Sequence, residues 1–262
     1  MTAKLQLPGV TLLTVTGVDI DQAHAALMHC AGQADFGAVK MLSPAPPRIT
    51  DPRVTYERIP PIDFVGYSRF IIEALSAHVQ TEHCLIVQSD GFILNPARWD
   101  DRFLGYDYIG APWPPSVPLM PPGSGFLRLD KNSVGNGGFS LRSKKLLDIT
   151  SRIRFDELDF PLKSEDLVIC HYLYDEMRAA GVSFAPPELA ALFSIESAGI
   201  YGQTLNSVFG FHGKHWLNAW RAASRPAQGY YNVTINAAGY GQSGYGQTVY
   251  GQSWRPPPGT KS

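Results

Sequence analysis

Cysteine is scarce in this sequence: among 262 residues there are three, Cys30, Cys84 and Cys170. No two lie close enough for a zinc knuckle or a redox motif, and an odd number makes a poor disulfide framework. Each falls in an apolar stretch, where a reduced cysteine serves as a small core residue. A cytoplasmic location is therefore expected. Charge of one sign is lacking too. Lys and Arg total 22 against 23 Asp and Glu, for a formal net charge of -1. That balance excludes an overall basic surface for nucleic acid or for a membrane. No apolar run approaches the roughly 18–20 residues that span a bilayer, so no transmembrane segment is expected. Met1-Thr2-Ala3-Lys4 lacks the charged-then-apolar order of an export leader, and Val10–Val18 is too short and threonine-rich to act as one.

What is present suits a globular α/β domain. Hydrophobic residues make up 44% of the chain, enough at this length to bury a substantial core. Val10–Thr16 is β-branched and apolar, and reads as a buried strand. Asp19–Gly32 has helical spacing at Ala23, Leu27 and Cys30, with Asp19 or Asp21 as its cap. Phe36–Leu42 and Val54–Arg58 read as strands. Phe70, Ile71, Ala74, Leu75 and His78 mark a helix face, and Cys84–Val87 is a further strand. Such alternation predicts a Rossmann-like, mostly parallel central sheet with flanking helices. Ligands of such sheets collect beyond the carboxyl ends of the strands, which puts Thr16–Asp19 and Ser89–Asp90 near the expected site.

The proline-dense Pro112–Pro122 reads as an irregular loop. Leu167, Cys170, Tyr174 and Met177 share one helical face, with Gly181 as the closing cap, and Val182–Ala185 reads as a strand. The end of the chain is different. Tyr-Gly-Gln repeats begin at Tyr240, Tyr245 and Tyr250, and such composition offers no core pattern. Residues 1–227 are therefore expected to form the domain and 228–262 a low-complexity, flexible tail. Self-association through the tail, or a packed ribbon, is the alternative.

Five segments concentrate unusual residues. Gln88-Ser89-Asp90-Gly91 sets a carboxylate at a strand end, where it suits a hard divalent cation beside phosphates or simply a turn. Gly135-Asn136-Gly137-Gly138 allows close backbone approach to a ligand or positive φ, and is neither a Rossmann fingerprint nor a Walker loop. Ser164-Glu165-Asp166-Leu167 suits a helix start, or offers a general base. Phe209-Gly210-Phe211-His212-Gly213-Lys214-His215-Trp216 brings together a metal-ligand type, a cation and aromatics. Tyr106, Tyr108 and Trp113 are sugar-stacking rings or core anchors.

In this order these segments resemble the nucleotide-sugar glycosyltransferases of the GT-A fold, and in particular a bacterial glycosyltransferase-like family described as a domain of unknown function. The resemblance covers about residues 8–220 and rests on the ordered set 88–91, 106–113, 135–142, 165–166 and 209–213. It implies a GT-A-like fold and transfer of a sugar from a nucleoside diphosphate donor, UDP-linked, to an acceptor hydroxyl on a carbohydrate or similar molecule, with inversion. Asp90 would take the place of the last acid of the Asp-x-Asp motif and His212 that of a second ligand to Mn2+ or Mg2+. Gln88 stands where the first acid would be. Asp166 would act as base with Glu165 beside it. Thr16, Gln88, Ser89, Asn136, Gly137, Gly138, Tyr108, Trp113, Lys214 and Trp216 would line the substrate. The alternative is a non-catalytic carbohydrate- or nucleotide-binding module on the same fold, which the amide of Gln88 favours.

Overall fold

The computed structural model describes residues 4–119, 121–197 and 199–224. The β-branched run near the N-terminus forms β1 (Leu5–Val15), and α1 (Ile20–Gln33) returns the chain to β2 (Ala34–Ser43), with β3 (Thr55–Arg58) outside it. All three are parallel, with Leu12 opposite Val39 and Lys40 opposite Thr55. α2 (Phe64–Arg69), capped by the Asp63 carboxylate, continues through a π turn at Phe70–Ala74 and a 3-10 turn at Leu75–His78. β4 (His83–Val87) then pairs in parallel with the other side of β1. Two antiparallel strands, β11 (Phe139–Ser143) and β6 (Tyr108–Ile109), complete the sheet order β3-β2-β1-β4-β11-β6.

Strand side chains alternate between two covered faces, the signature of a sheet buried on both sides. Leu12, Leu85 and Leu141 pack with Leu27 and Cys30 of α1. Leu13, Cys84 and Ile86 pack with Tyr67 and Ile71 on the opposite face. The chain leaves β1 toward β2 and later returns on its other side at β4. The carboxyl ends of these two strands therefore border a topological switch point, the usual ligand crevice.

The remaining elements are short: β5 (Gly91–Ile93), β6 (Tyr108–Ile109), β7 (Ala111–Pro112), β8 (Ser116–Pro118), β9 (Phe126–Arg128), β10 (Val134–Gly135), β11 (Phe139–Ser143), α3 (Lys144–Thr150), α4 (Glu165–Leu167), α5 (Tyr174–Ala179), α6 (Pro187–Phe193), β12 (Ser194–Ile195), β13 (Gly210–His212) and α7 (Lys214–Ser224). All three cysteines are buried and free, and burial pushes the Cys30 and Cys84 thiols up to about 12.

Several local expectations are corrected. Neither acid caps α1 through its side chain. Asp19 is left-handed (φ 49°) without a side-chain cap bond, and the Asp21 carboxylate accepts from Arg48 instead. The proline-dense stretch is not wholly irregular, because β8 pairs with β9 while its prolines sit at or beyond the strand ends. The Leu167–Met177 helix is interrupted by a π turn at Val168–Tyr172 and by Leu173. Val182–Ala185 contributes a single bridge, Phe184 to Tyr108, and no strand. The expected domain boundary at 227 and the repeat tail lie outside the described residues. No helix among the described residues is long and apolar enough to cross a membrane.

Candidate active site

β4 ends at Val87 and the chain reverses at once, Gln88 and Gly91 exchanging backbone hydrogen bonds at 3.2 and 3.1 Å. Asp90 sits in this turn. β5 then joins a separate three-stranded sheet of order β12-β13-β5. Register does the rest. His212 at the end of β13 lies opposite Gly91, and Ile195 lies opposite Phe211 in the parallel pair. One step further along β12 therefore brings Glu196 beside His212. The Nδ1 atom of His212 is 2.8 Å from Glu196 Oε1, and its Nε2 is 3.1 Å from Gln88 Oε1 and 3.5 Å from Asp90 Oδ1.

The cluster is buried and charged. Burial works against a charged His212, but Asp90 and Glu196 outweigh it and hold the imidazole proton well above its ordinary range. Burial opposes the ionised form of Asp90 as well, yet His212, with Lys214 beyond it, keeps that carboxyl below the usual range. For Glu196 burial prevails over His212 and its carboxyl is raised. One oxygen of each acid, Asp90 Oδ2 and Glu196 Oε2, is buried without a hydrogen-bond partner.

Across from His212 runs the glycine turn between β10 and β11. Asn136 takes φ 72°. Its Oδ1 accepts from the Gly138 N–H at 3.0 Å, while its carbonyl accepts from the Tyr108 hydroxyl at 3.0 Å. The missing side chains of the next two residues make the site possible. A Cβ on Gly138 would lie 2.1 Å from His212 Nε2, and one on Gly137 would lie 1.7 Å from Glu165 Oε1. The Gly137 N–H donates to Asp166 Oδ2 at 3.2 Å, and the Leu167 N–H donates to Asp166 Oδ1 at 2.8 Å. Glu165 instead pairs at 2.9 Å with Arg142, which is fully buried. Burial first, then the neighbouring Asp166 charge, raise the Glu165 carboxyl against the pull of Arg142.

Gln88, Asp90, Asn136, Gly137, Gly138, Glu165, Asp166 and His212 thus meet around one turn. Thr16 and Ser89, with Gln88, line an adjoining cleft at the switch point. Lys214 is exposed at the start of α7. Two aromatic residues expected at the substrate are committed elsewhere. Tyr108 is fully buried beneath the Arg142 guanidinium, 5.1 Å from its ring centre, and Trp216 is buried with its indole N–H on the Glu196 carbonyl at 2.7 Å. Neither ring is open for a sugar to stack on. Trp113 lines a different cleft. Sequence reasoning missed Glu196 and Arg142. The only signal for Glu196 was an acid directly after a short apolar strand; for Arg142 it was a cation at an alternating position of β11.

For a divalent ion the donor set is partial. Among the described residues no group of three His, Cys, Asp or Glu is placed to hold a metal. Asp90 Oδ1 and His212 Nε2 lie 3.5 Å apart, close enough for both to reach one ion. Glu196 holds the other imidazole nitrogen, as carboxylates behind metal-binding histidines commonly do. The pair fits an ion whose remaining ligands come from a substrate, as Mg2+ and Mn2+ accept phosphate oxygens.

Fold and site together define a mixed α/β protein with a buried histidine–carboxylate cluster at its strand ends. The chain belongs to the DUF5672 family, described as a protein of unknown function, whose profile matches residues 61–212. The match runs from just before α2 to His212 itself. Among solved structures the chain is similar to the galactosyltransferase LgtC in complex with donor and acceptor sugar analogs (11% identity, TM-score 0.41, covering 77% of this chain and 86% of that one). It is also similar to a glycosyltransferase involved in glycosylation of the major capsid of PBCV-1 (14%, 0.40, 78% and 91%). A third is the apo form of the glycosyltransferase GlyE of Streptococcus pneumoniae TIGR4 (14%, 0.38, 80% and 54%). No curated protein gives a significant sequence match.

Proposed function

We propose that the chain is a glycosyltransferase that moves a sugar from a nucleoside diphosphate donor, UDP-linked, to an acceptor hydroxyl with inversion. The observation that carries this reading is that consecutive residues serve both halves of the chemistry. The Gly137 N–H holds Asp166 at 3.2 Å, while Gly138 makes room for His212 and hence for its partner Asp90. Asp166 is the base because the neighbouring carboxylate is engaged by Arg142. In the transfer, the acceptor hydroxyl proton passes to the Asp166 carboxylate. The acceptor oxygen forms the new bond to the sugar's anomeric carbon, and the bond from that carbon to the diphosphate oxygen breaks with its electron pair leaving on phosphate. Lys214 would neutralise part of that charge. A divalent ion held by Asp90 and His212 would supply further positive charge to the departing diphosphate.

Calorimetric titration of UDP with Mn2+ tests the donor side. Wild type is expected to bind, and Asp90→Ala to bind at least tenfold more weakly; equal affinity would remove Asp90 from the ligand set. A second reading, a binding module without turnover, draws on one observation. The Gln88 amide donates to the Tyr67 hydroxyl at 2.9 Å and turns its oxygen to His212 Nε2 at 3.1 Å, filling the position an ion would take. Sugar-nucleotide turnover, as opposed to binding alone, separates the two readings.

A further inference from the structure

We propose that a second cleft, next to the glycine turn, seats the acceptor, and that this acceptor is an uncharged glycoside. Its role rests on the transfer reading above; its chemistry rests on its own walls. The cleft has a volume of about 310 Å³ and is walled by Trp113, Pro114, Pro115, Leu129, Ile200 and Tyr201. That is within the size range of small-molecule sites, about 300–1,000 Å³.

Two of its walls lead into the site. The Trp113 N–H donates to the Ser133 carbonyl at 2.8 Å, which joins the wall to the strand entering the turn. Two residues on, a Cβ on Gly135 would fall 1.8 Å from the Trp113 ring. The indole therefore lies directly on the backbone that continues to Asn136 and Gly137. The opposite wall, Ile200 and Tyr201, follows Glu196 in the chain. It is anchored, with the Tyr201 N–H on the Gln203 side-chain oxygen at 3.0 Å and the Gly202 N–H on the Gly199 carbonyl at 2.9 Å.

The lining selects the ligand. It carries no charged side chain, so a carboxylate or phosphate on the ligand would be desolvated without compensation. The flat faces of Pro114, Pro115 and Tyr201 suit the C–H face of a pyranose ring. Ile200 and Tyr201 remain 47% and 45% exposed, which leaves large apolar surface in the open beside a concave site. Trp113 is buried, 3% exposed, so of the two rings in the lining that of Tyr201 is the one open to a ligand. The Tyr201 ring also carries a hydroxyl, which a plain alkyl chain could not engage. Ser133, also in the lining, adds a hydroxyl.

Saturation-transfer NMR on the full chain tests the proposal, with methyl glucopyranoside and methyl galactopyranoside as neutral probes and glucuronate and glucose 6-phosphate as charged ones. A separate titration with UDP and Mn2+ reads the donor side. The neutral probes are expected to bind at least tenfold tighter than the charged ones and to shift the Trp113 indole N–H resonance, assigned through Trp113→Phe. Tyr201→Ala should weaken them about tenfold, the worth of one lost ring contact, and leave UDP affinity within about twofold. Three results would each overturn the acceptor cleft even with UDP still bound: no neutral binding, charged probes binding equally well, or indifference to Tyr201→Ala. Neutral binding that depends on Tyr201 in a chain that fails to bind UDP would leave the cleft standing and remove the transfer reading.

Discussion

The two sheets of this protein are built on opposite terms. The six-stranded sheet is built on β1 and β2, of 11 and 10 residues, and its side chains alternate between two apolar layers. The three-stranded sheet has strands of two or three residues drawn from positions 91–93, 194–195 and 210–212. Around it gather Asp90, Glu196 and His212, buried, charged and partly unpaired. Both sheets bury apolar side chains, but the charged cluster gathers at the smaller one. Buried unpaired charge is expensive, so the apolar layers that both sheets help to build must offset the cost.

Substitutions can sharpen that contrast. The largest effect is expected at Asp166, which touches the turn but not the apolar layers. Asp166→Asn keeps shape and removes the base, so turnover should fall about 10²–10⁴-fold with donor affinity within a few-fold. Near-normal turnover in Asp166→Asn beside a collapse in Glu165→Gln would transfer the role to the neighbour.

A smaller loss is expected at Glu196, which reaches the substrate only through His212. Glu196→Gln should weaken Mn2+-dependent UDP binding about 10–100-fold, the usual cost of losing a group behind a metal ligand. Thermal stability should change little. Unchanged affinity would mean that the strand register alone aims His212.

The smallest functional effect, and a clear structural one, belongs to the large sheet. Asp107 accepts from Ser143 Oγ at 2.6 Å, the Ser183 N–H at 2.8 Å and Lys145 Nζ at 2.9 Å. Burial opposes its charge, but these donors win and hold its carboxyl below the usual range. A carboxylate with a depressed folded-state pKa contributes stability above its unfolded value, near 3.9, and loses it as pH falls through the lower folded value. Asp107→Asn should therefore cost about 1–3 kcal/mol at neutral pH, and the gap to wild type should narrow below about pH 4. UDP affinity of the folded variant should match wild type. Denaturation curves across pH measure the first, and calorimetry the second.

The same division explains what the sequence made legible. β1, α1, β2 and β4 announce themselves because each is long enough to show its period. Aspartate at a strand end and paired glycines before a strand were visible as candidates, since few structural needs call for both. β5, β12 and β13 were not visible as a sheet, because two or three residues carry no period and their pairing is wholly long-range. With that sheet hidden, Glu196 had no reason to stand out. The spacing of Leu167, Cys170, Tyr174 and Met177 likewise gave no sign of the π turn among them, since one extra residue per turn barely disturbs a short apolar pattern.

Two walls of the slot that holds the His212 ring, at Gly138 and Gly91, are main chain. A Cβ on Gly138 would meet Nε2 at 2.1 Å, and one on Gly91 would meet the ring at 2.9 Å. Those two walls have no side chains to trade, so gradual change cannot resize them; any substitution at either glycine either displaces the ring or fails. Innovation in this scaffold is therefore channelled outward. Open, side-chain-built surface such as that of Ile200 and Tyr201 can vary residue by residue while the imidazole keeps its place.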